Sequence, residues 1–216
     1  MPTISKSIKV DASQIEIDSI AAAAHELAKG KIGIFPTRCL YGLGTNAFND
    51  LALERIFAIK QRRPDKPLLV LISHMDQLDD LAVRISPIAH ELMRRFWPGK
   101  VTFLLKARAG LPSGIVGPGN KIGVRLAGNP VAAALATLTK VPITGTSANF
   151  SGHFGYDRID QMDQAIISAV DIIIDAGVLK GGIGSSVVDT TLPIPKMLRH
   201  GTLSQNNLEK VMTELQ

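Results

Sequence analysis

The chain has a single cysteine, Cys39, so an intramolecular disulfide and a cysteine-based zinc cluster are both excluded. Aromatic residues make up only 5%, with one Trp and two Tyr, a poor endowment for a base-stacking platform. No run approaches the roughly 18–20 apolar residues that a membrane helix needs. The opening MPTISKSIKV lacks the apolar core of a secretory signal, which points to a cytoplasmic protein. The glycosylation pattern at residues 149–151 is then a chance match.

Several catalytic signatures are missing as well. No G-x-x-x-x-G-K-[ST] run supports a P-loop, and the five histidines are scattered without H-E-x-x-H spacing, so no metal site is expected. The segment GTSAN at residues 145–149 lacks the closing glycine of a nucleophile elbow, which argues against Ser147 as an acyl nucleophile. Gly42, Gly44 and Ala47 fit G-x-G-x-x-A, but Asp65 precedes the next apolar run instead of ending it. A dinucleotide site is therefore set aside, and the glycines are assigned to a tight turn.

What is present is an ordinary globular composition: 216 residues, 45% hydrophobic and 20% charged. That length suits one sizeable core, and no linker separates two halves, so residues 1–216 read as one domain. The formal net charge of +5 favours an anionic partner such as a nucleotide or nucleic acid.

Apolar runs alternate with amphipathic helices from end to end. Ile17, Ile20, Ala24 and Leu27 recur at helical spacing, with Gly30 as the stop. Asn49 can cap a second helix, and Ser86-Pro87 and Asn129-Pro130 each join a capping side chain to proline at the first helical position. A last helix starts at Ser204. Strands are predicted at 31–36, 68–72, 101–106, 122–126, 143–146, 172–175 and 187–189. This alternation predicts an α/β fold with a largely covered sheet.

Polar clusters fall mostly where strands end, the usual site material of α/β sheets. They are residues 36–44, residues 60–67, Lys121 with Arg125, residues 146–152, and residues 184–189 followed by Arg199. Fixed cations neutralise phosphate, and hydroxyls and backbone N–H groups bind its oxygens. Taken alone, the 60–66 cations could simply complement a helix C-terminus.

The clusters resemble the YrdC-like threonylcarbamoyl-AMP synthase family. The chain shows PTRCLYGLG from Pro36, KQRRPDKPL from Lys60, WPGKVT from Trp97, VR at Val124-Arg125, TSANFSG from Thr146, SSVVD from Ser185 and LRHG from Leu198, in the family's order. The resemblance implies an open twisted sheet of mixed strands with helices packed on it and a basic concave face. It implies synthesis of threonylcarbamoyl-AMP and pyrophosphate from L-threonine, bicarbonate and ATP, with Mg2+ accompanying ATP, for t6A modification of tRNA.

By the same resemblance, Lys60 and Arg62 are the expected catalytic pair. The resemblance puts Lys60, Arg62, Ser147, Asn149 and Arg199 at the nucleotide, and Lys66 and Lys121, from the basic clusters, are expected to meet it as well. Thr37, Cys39, Arg125 and Ser185 are expected on the amino-acid or carbamate side. The chain ends soon after LRHG, as in the single-domain type.

The chain departs from the family pattern at Arg38 and Cys39, where P-T-[ED]-T has an acid and a threonine, and at Leu71, where a histidine is common. Cys39 is read as a small residue lining a pocket, with a reactive thiol beside Arg38 as the other possibility. These departures leave open a paralogue that binds nucleotide or structured RNA without making the product, and a synthase for another amino acid. RNA would be held through its backbone by Arg62, Arg63, Lys66, Lys100 and Lys121. Protein partners in tRNA modification remain a further expectation.

Overall fold

The computed structural model describes residues 6–11 and 16–215. The mixed α/β class is observed, with twisted mixed sheets, and the strands are divided between two sheets. Numbered in chain order, the first sheet runs β1 (Lys6–Lys9), β10 (Ile172–Asp175), β2 (Gly33–Pro36), β3 (Tyr41–Gly44), β9 (Thr146–Ser147). Its first three strands are parallel and its last two pairings antiparallel. The second sheet runs β12 (Lys196–Arg199), β11 (Ser186–Asp189), β5 (Val101–Lys106), β7 (Lys121–Leu126), β4 (Val70–Ile72), β8 (Ile143–Thr144), with β6 (Val116–Gly117) also paired to β7.

The helices begin where capping chemistry places them. Asn49 accepts from Ala52 N ahead of α2 (Asp50–Lys60). Ser86 and Asn129 do the same for α4 (Pro87–Phe96) and α5 (Pro130–Thr139), each with proline just inside. Ser204 caps α7 (Gln205–Glu214). Helix α1 (Ile17–Ala28) ends before Gly30, whose φ is +90°. Helices α1 and α5 pack together, burying Ile20, Leu27, Val131 and Leu135. The short α3 (Leu78–Leu81) and α6 (Gln164–Ala169) complete the α-helices among the described residues.

One apolar cluster joins both sheets, with Ile34 and Leu43 from the first and Val70, Phe103 and Val124 from the second. The predicted strand at 143–146 divides in two: residues 143–144 belong to the second sheet and 146–147 to the first. Gly145 is the crossing point. Its N–H donates to Leu69 O at 3.0 Å, and a Cβ there would lie 2.4 Å from Leu71 Cδ1.

The expected tight turn at Gly42 and Gly44 is corrected. Both glycines lie within β3, between β2 and β9. A Cβ on Gly44 would lie 2.0 Å from Thr144 O, and one on Gly42 would lie 2.6 Å from Thr37 Cγ2. Gly44 lets neighbouring backbone approach and Gly42 makes room for the Thr37 side chain; neither needs left-handed φ. Strands β1, β3, β6 and β12 lie outside the predicted runs; β3 is glycine-rich and β12 is mostly exposed, so neither reads as a continuous apolar run.

Candidate active site

A cavity of about 920 Å3 opens where the two sheets meet. One wall is the turn after β2, residues 37–41, with the loop after β9. The other is made by β5, β7 and the ends of β11 and β12, with Arg62 and residues 67–69 at its side. The glycine of LRHG explains how β12 closes in: a Cβ on Gly201 would lie 2.5 Å from Gly184 O and Ser185 C. Trp97 of WPGKVT holds its own end of β5, donating from Nε1 to Val101 O at 2.7 Å. Gly99 and Gly128 touch backbone to backbone nearby.

Of the sequence-derived residues, Thr37, Cys39, Arg62, Arg125, Ser147, Ser185 and Arg199 border the cavity; Lys60, Lys66, Lys121 and Asn149 do not. Lys66 is exposed on the surface. Lys121 is paired with Asp189 at 2.6 Å on the far end of β7. Burial works to raise the Asp189 carboxyl, but hydrogen bonds from Lys121 and Thr191 outweigh it and hold the group below its ordinary value.

Lys60, at the last position of α2, is 1% exposed. Its Nζ donates to the carbonyls of Ser147 and Asn149, the latter at 2.6 Å, so it clamps the loop that carries Ser147. Burial, with Arg62 adding repulsion, pulls its pKa down to about 7. Asn149 serves the same loop. Its Nδ2 donates to the carbonyls of Phe150 and His153, both at 2.7 Å, an orientation that leaves Oδ1 the one buried side-chain nitrogen or oxygen without a hydrogen bond among the described residues.

Among the described residues, four guanidinium groups border the cavity, from Arg38, Arg62, Arg125 and Arg199, against one carboxylate, Asp157. Arg62 closes its own turn, with Nε donating to Lys66 O at 2.7 Å and Nη2 to Pro67 O at 3.0 Å. Arg199 holds the carbonyl of Ser185 at 2.7 Å, and Ser185 Oγ meets Thr102 Oγ1 at 2.9 Å. Burial lowers the pKa of Arg199, and burial with Arg199's charge lowers that of Arg62. Arg125 is brought down to about 10 by burial, then by repulsion from Arg199 and Arg38. Cations that repel one another across a partly desolvated cavity form a site for a polyanion.

Arg38 and Cys39 are the least expected parts of the wall. Arg38 Nη2 donates to Ile183 O at 3.0 Å and to Thr202 Oγ1 at 2.6 Å, and the Cys39 thiol donates to Ile183 O at 3.3 Å. Gly181 N donates to Cys39 O at 3.0 Å. Together they fasten residues 181–184 over one end of the cavity. Leu71 does not border the cavity; it is buried under Gly145 in the cluster of α1 and α5. Its position in the motif gave no sign of that, because Gly145 arrives from a distant part of the chain. Tyr41, Phe154 and Asp157 border the cavity without having been singled out for it. Only the glycines around Phe154 mark that loop in the sequence.

Fold and cavity together define an α/β protein with an arginine-lined cavity between two sheets. The family model described as telomere recombination, that of the Sua5/YciO/YrdC proteins, matches residues 25–201, and the chain belongs to this family. It is 36% identical over 202 residues to the threonylcarbamoyl-AMP synthase of Pyrococcus abyssi, covering 94% of this chain and 59% of that protein. The Bacillus subtilis threonylcarbamoyl-AMP synthase is 34% identical, with 89% of this chain and 56% of that protein covered. The chain thus spans less than two thirds of the length of these relatives.

Among solved structures, P. abyssi Sua5 complexed with L-threonine matches with a TM-score of 0.90 at 36% identity, over 96% of this chain and 61% of that one. YciO of E. coli matches with a TM-score of 0.85 at 25% identity, over 94% of this chain and 99% of that one. No helix among the described residues is long and apolar enough to cross a membrane.

Proposed function

We propose that this chain is a threonylcarbamoyl-AMP synthase, acting in the cytoplasm to supply t6A modification of tRNA. The observation that carries the reading is the cavity in which Arg62, Arg125 and Arg199 converge with the hydroxyls of Thr37, Ser147 and Ser185. It is supported by the names of the relatives and by the threonine complex of the P. abyssi protein. In the reaction the threonine amine and bicarbonate combine with loss of water to a carbamate. A carbamate oxygen then attacks the α-phosphorus of ATP, and pyrophosphate leaves.

Each residue has a part in that scheme. Arg62, Arg199 and the Ser147 hydroxyl face the phosphates, where negative charge grows as pyrophosphate departs. Arg125, with Thr37, Cys39 and Ser185, faces the carboxylate and carbamate, for which a planar two-pronged donor is suited. Lys60 and Asn149 act as positioning residues, holding the Ser147 loop from behind. Magnesium would enter as the ATP complex; Asp157 is the one cavity carboxylate among the described residues, so phosphate oxygens and water would supply most of its ligands.

The test is pyrophosphate and adenylate formation by the full chain with Mg-ATP and bicarbonate, with and without L-threonine. Threonine-dependent product is expected. ATP binding without threonine-dependent product overturns the synthase reading and leaves a paralogue that binds nucleotide or structured RNA. Product with another amino acid in a panel would instead move the substrate assignment. Protein partners in tRNA modification belong to the same proposal and would be sought by co-purification.

A further inference from the structure

Phe154 is 97% exposed, the least covered of the exposed large hydrophobic side chains among the described residues. A phenyl group held in water contributes little to folding. Its loop is nevertheless tightly fixed. Lys60 clamps the carbonyls of Ser147 and Asn149, Asn149 Nδ2 holds His153 O at 2.7 Å, and Tyr41 N donates to Tyr156 O at 2.8 Å. Gly155 fits so closely that a Cβ on it would lie 2.9 Å from Leu40 Cδ1 and 3.6 Å from Ser147 Cβ. The His153 ring stands edge-on to Phe150, with centroids 6.1 Å apart.

Phe154 and His153 border the same cavity as Arg62, Arg125 and Arg199. An exposed aromatic side chain carried on a fixed loop, beside guanidinium groups with no carboxylate partner among the described residues, complements a ligand that joins a flat π-system to an anionic tail. We propose that Phe154 is the stacking face for the purine of the nucleotide, with the phosphates running past Ser147 toward Arg62 and Arg199. The inference rests on the reading of the cavity as an ATP site. It adds base recognition by a residue outside the shared motifs. Stacking is tolerant of base identity, so ATP and GTP should both gain from it.

The experiment is calorimetric titration of the full chain and of Phe154→Ala and Phe154→Trp with Mg-ATP and with magnesium tripolyphosphate. Phe154→Ala is expected to weaken ATP binding about 5- to 100-fold. It should leave tripolyphosphate binding within about twofold, since no charge is lost, and Phe154→Trp should restore ATP affinity. Unchanged ATP binding by Phe154→Ala overturns the inference and leaves the proposed function standing. An equal loss for tripolyphosphate also overturns it, because the variant would then have moved the loop. Failure of the unaltered chain to bind ATP removes the underlying reading, and the inference with it.

Discussion

Replacing Lys60 with Met tests how a buried amine is tolerated behind the Ser147 loop. The side chain is 1% exposed, and its pKa is drawn from the ordinary 10.5 to about 7. The unfolded chain therefore binds a proton between pH 7 and 10.5 that the folded chain releases. Because the folded pKa is the lower one, stability is least below pH 7 and rises as pH climbs toward 10.5. At pH 7 the burial of Lys60 costs about 4 kcal/mol, and at pH 9 about 2 kcal/mol. A neutral amine still has two N–H donors, enough for the carbonyls of Ser147 and Asn149.

Methionine removes the cost and both hydrogen bonds. Two orphaned carbonyls cost about 1–3 kcal/mol each, so the two effects nearly cancel at pH 7 and the variant should fold. The difference appears with pH. Urea unfolding of both proteins at pH 7, 8 and 9 should show the unaltered chain gaining about 2 kcal/mol relative to Lys60→Met. Other titrating groups are common to both proteins and drop out of the comparison. Parallel stability curves across that range would refute the argument, since they would mean that Lys60 keeps its proton when folded.

Arg125→Met should leave stability unchanged or raised, by relieving repulsion from Arg199 and Arg38, while threonine-dependent product falls about 10-fold or more, the scale of a lost charged hydrogen bond; thermal melts and the pyrophosphate assay check both. Gly44→Ala puts a methyl group 2.0 Å from Thr144 O and should cost at least about 2 kcal/mol or prevent folding, read from the urea midpoint. Lys121→Met strips Asp189 of its 2.6 Å partner and should cost about 3 kcal/mol at neutral pH. The Asp189 carboxyl is held below its ordinary value, so its pairing contributes fully above pH 3.8 and is lost as pH falls through the lower folded value. The two proteins should therefore converge in acid, and a constant gap down to acid unfolding would count against the pairing.

Sequence by itself determined the helix starts at Asn49, Ser86, Asn129 and Ser204, because a cap is a local hydrogen bond between neighbours in the chain. It also determined the buried strands around Val70, Phe103, Val124 and Ile173, whose apolar runs show in any register. The α/β class and the loops rich in arginine and serine were legible for the same reason. Tertiary structure alone decided that residues 143–147 cross between two sheets and that Gly42 and Gly44 are strand residues, since both depend on backbone arriving from elsewhere. It alone turned Lys60 inward to a pair of carbonyls and Leu71 into the core, while leaving Arg62, Arg125 and Arg199 around one cavity. Charge is a property of the residue, but whether it faces a ligand or the inside of a loop depends on what packs against it.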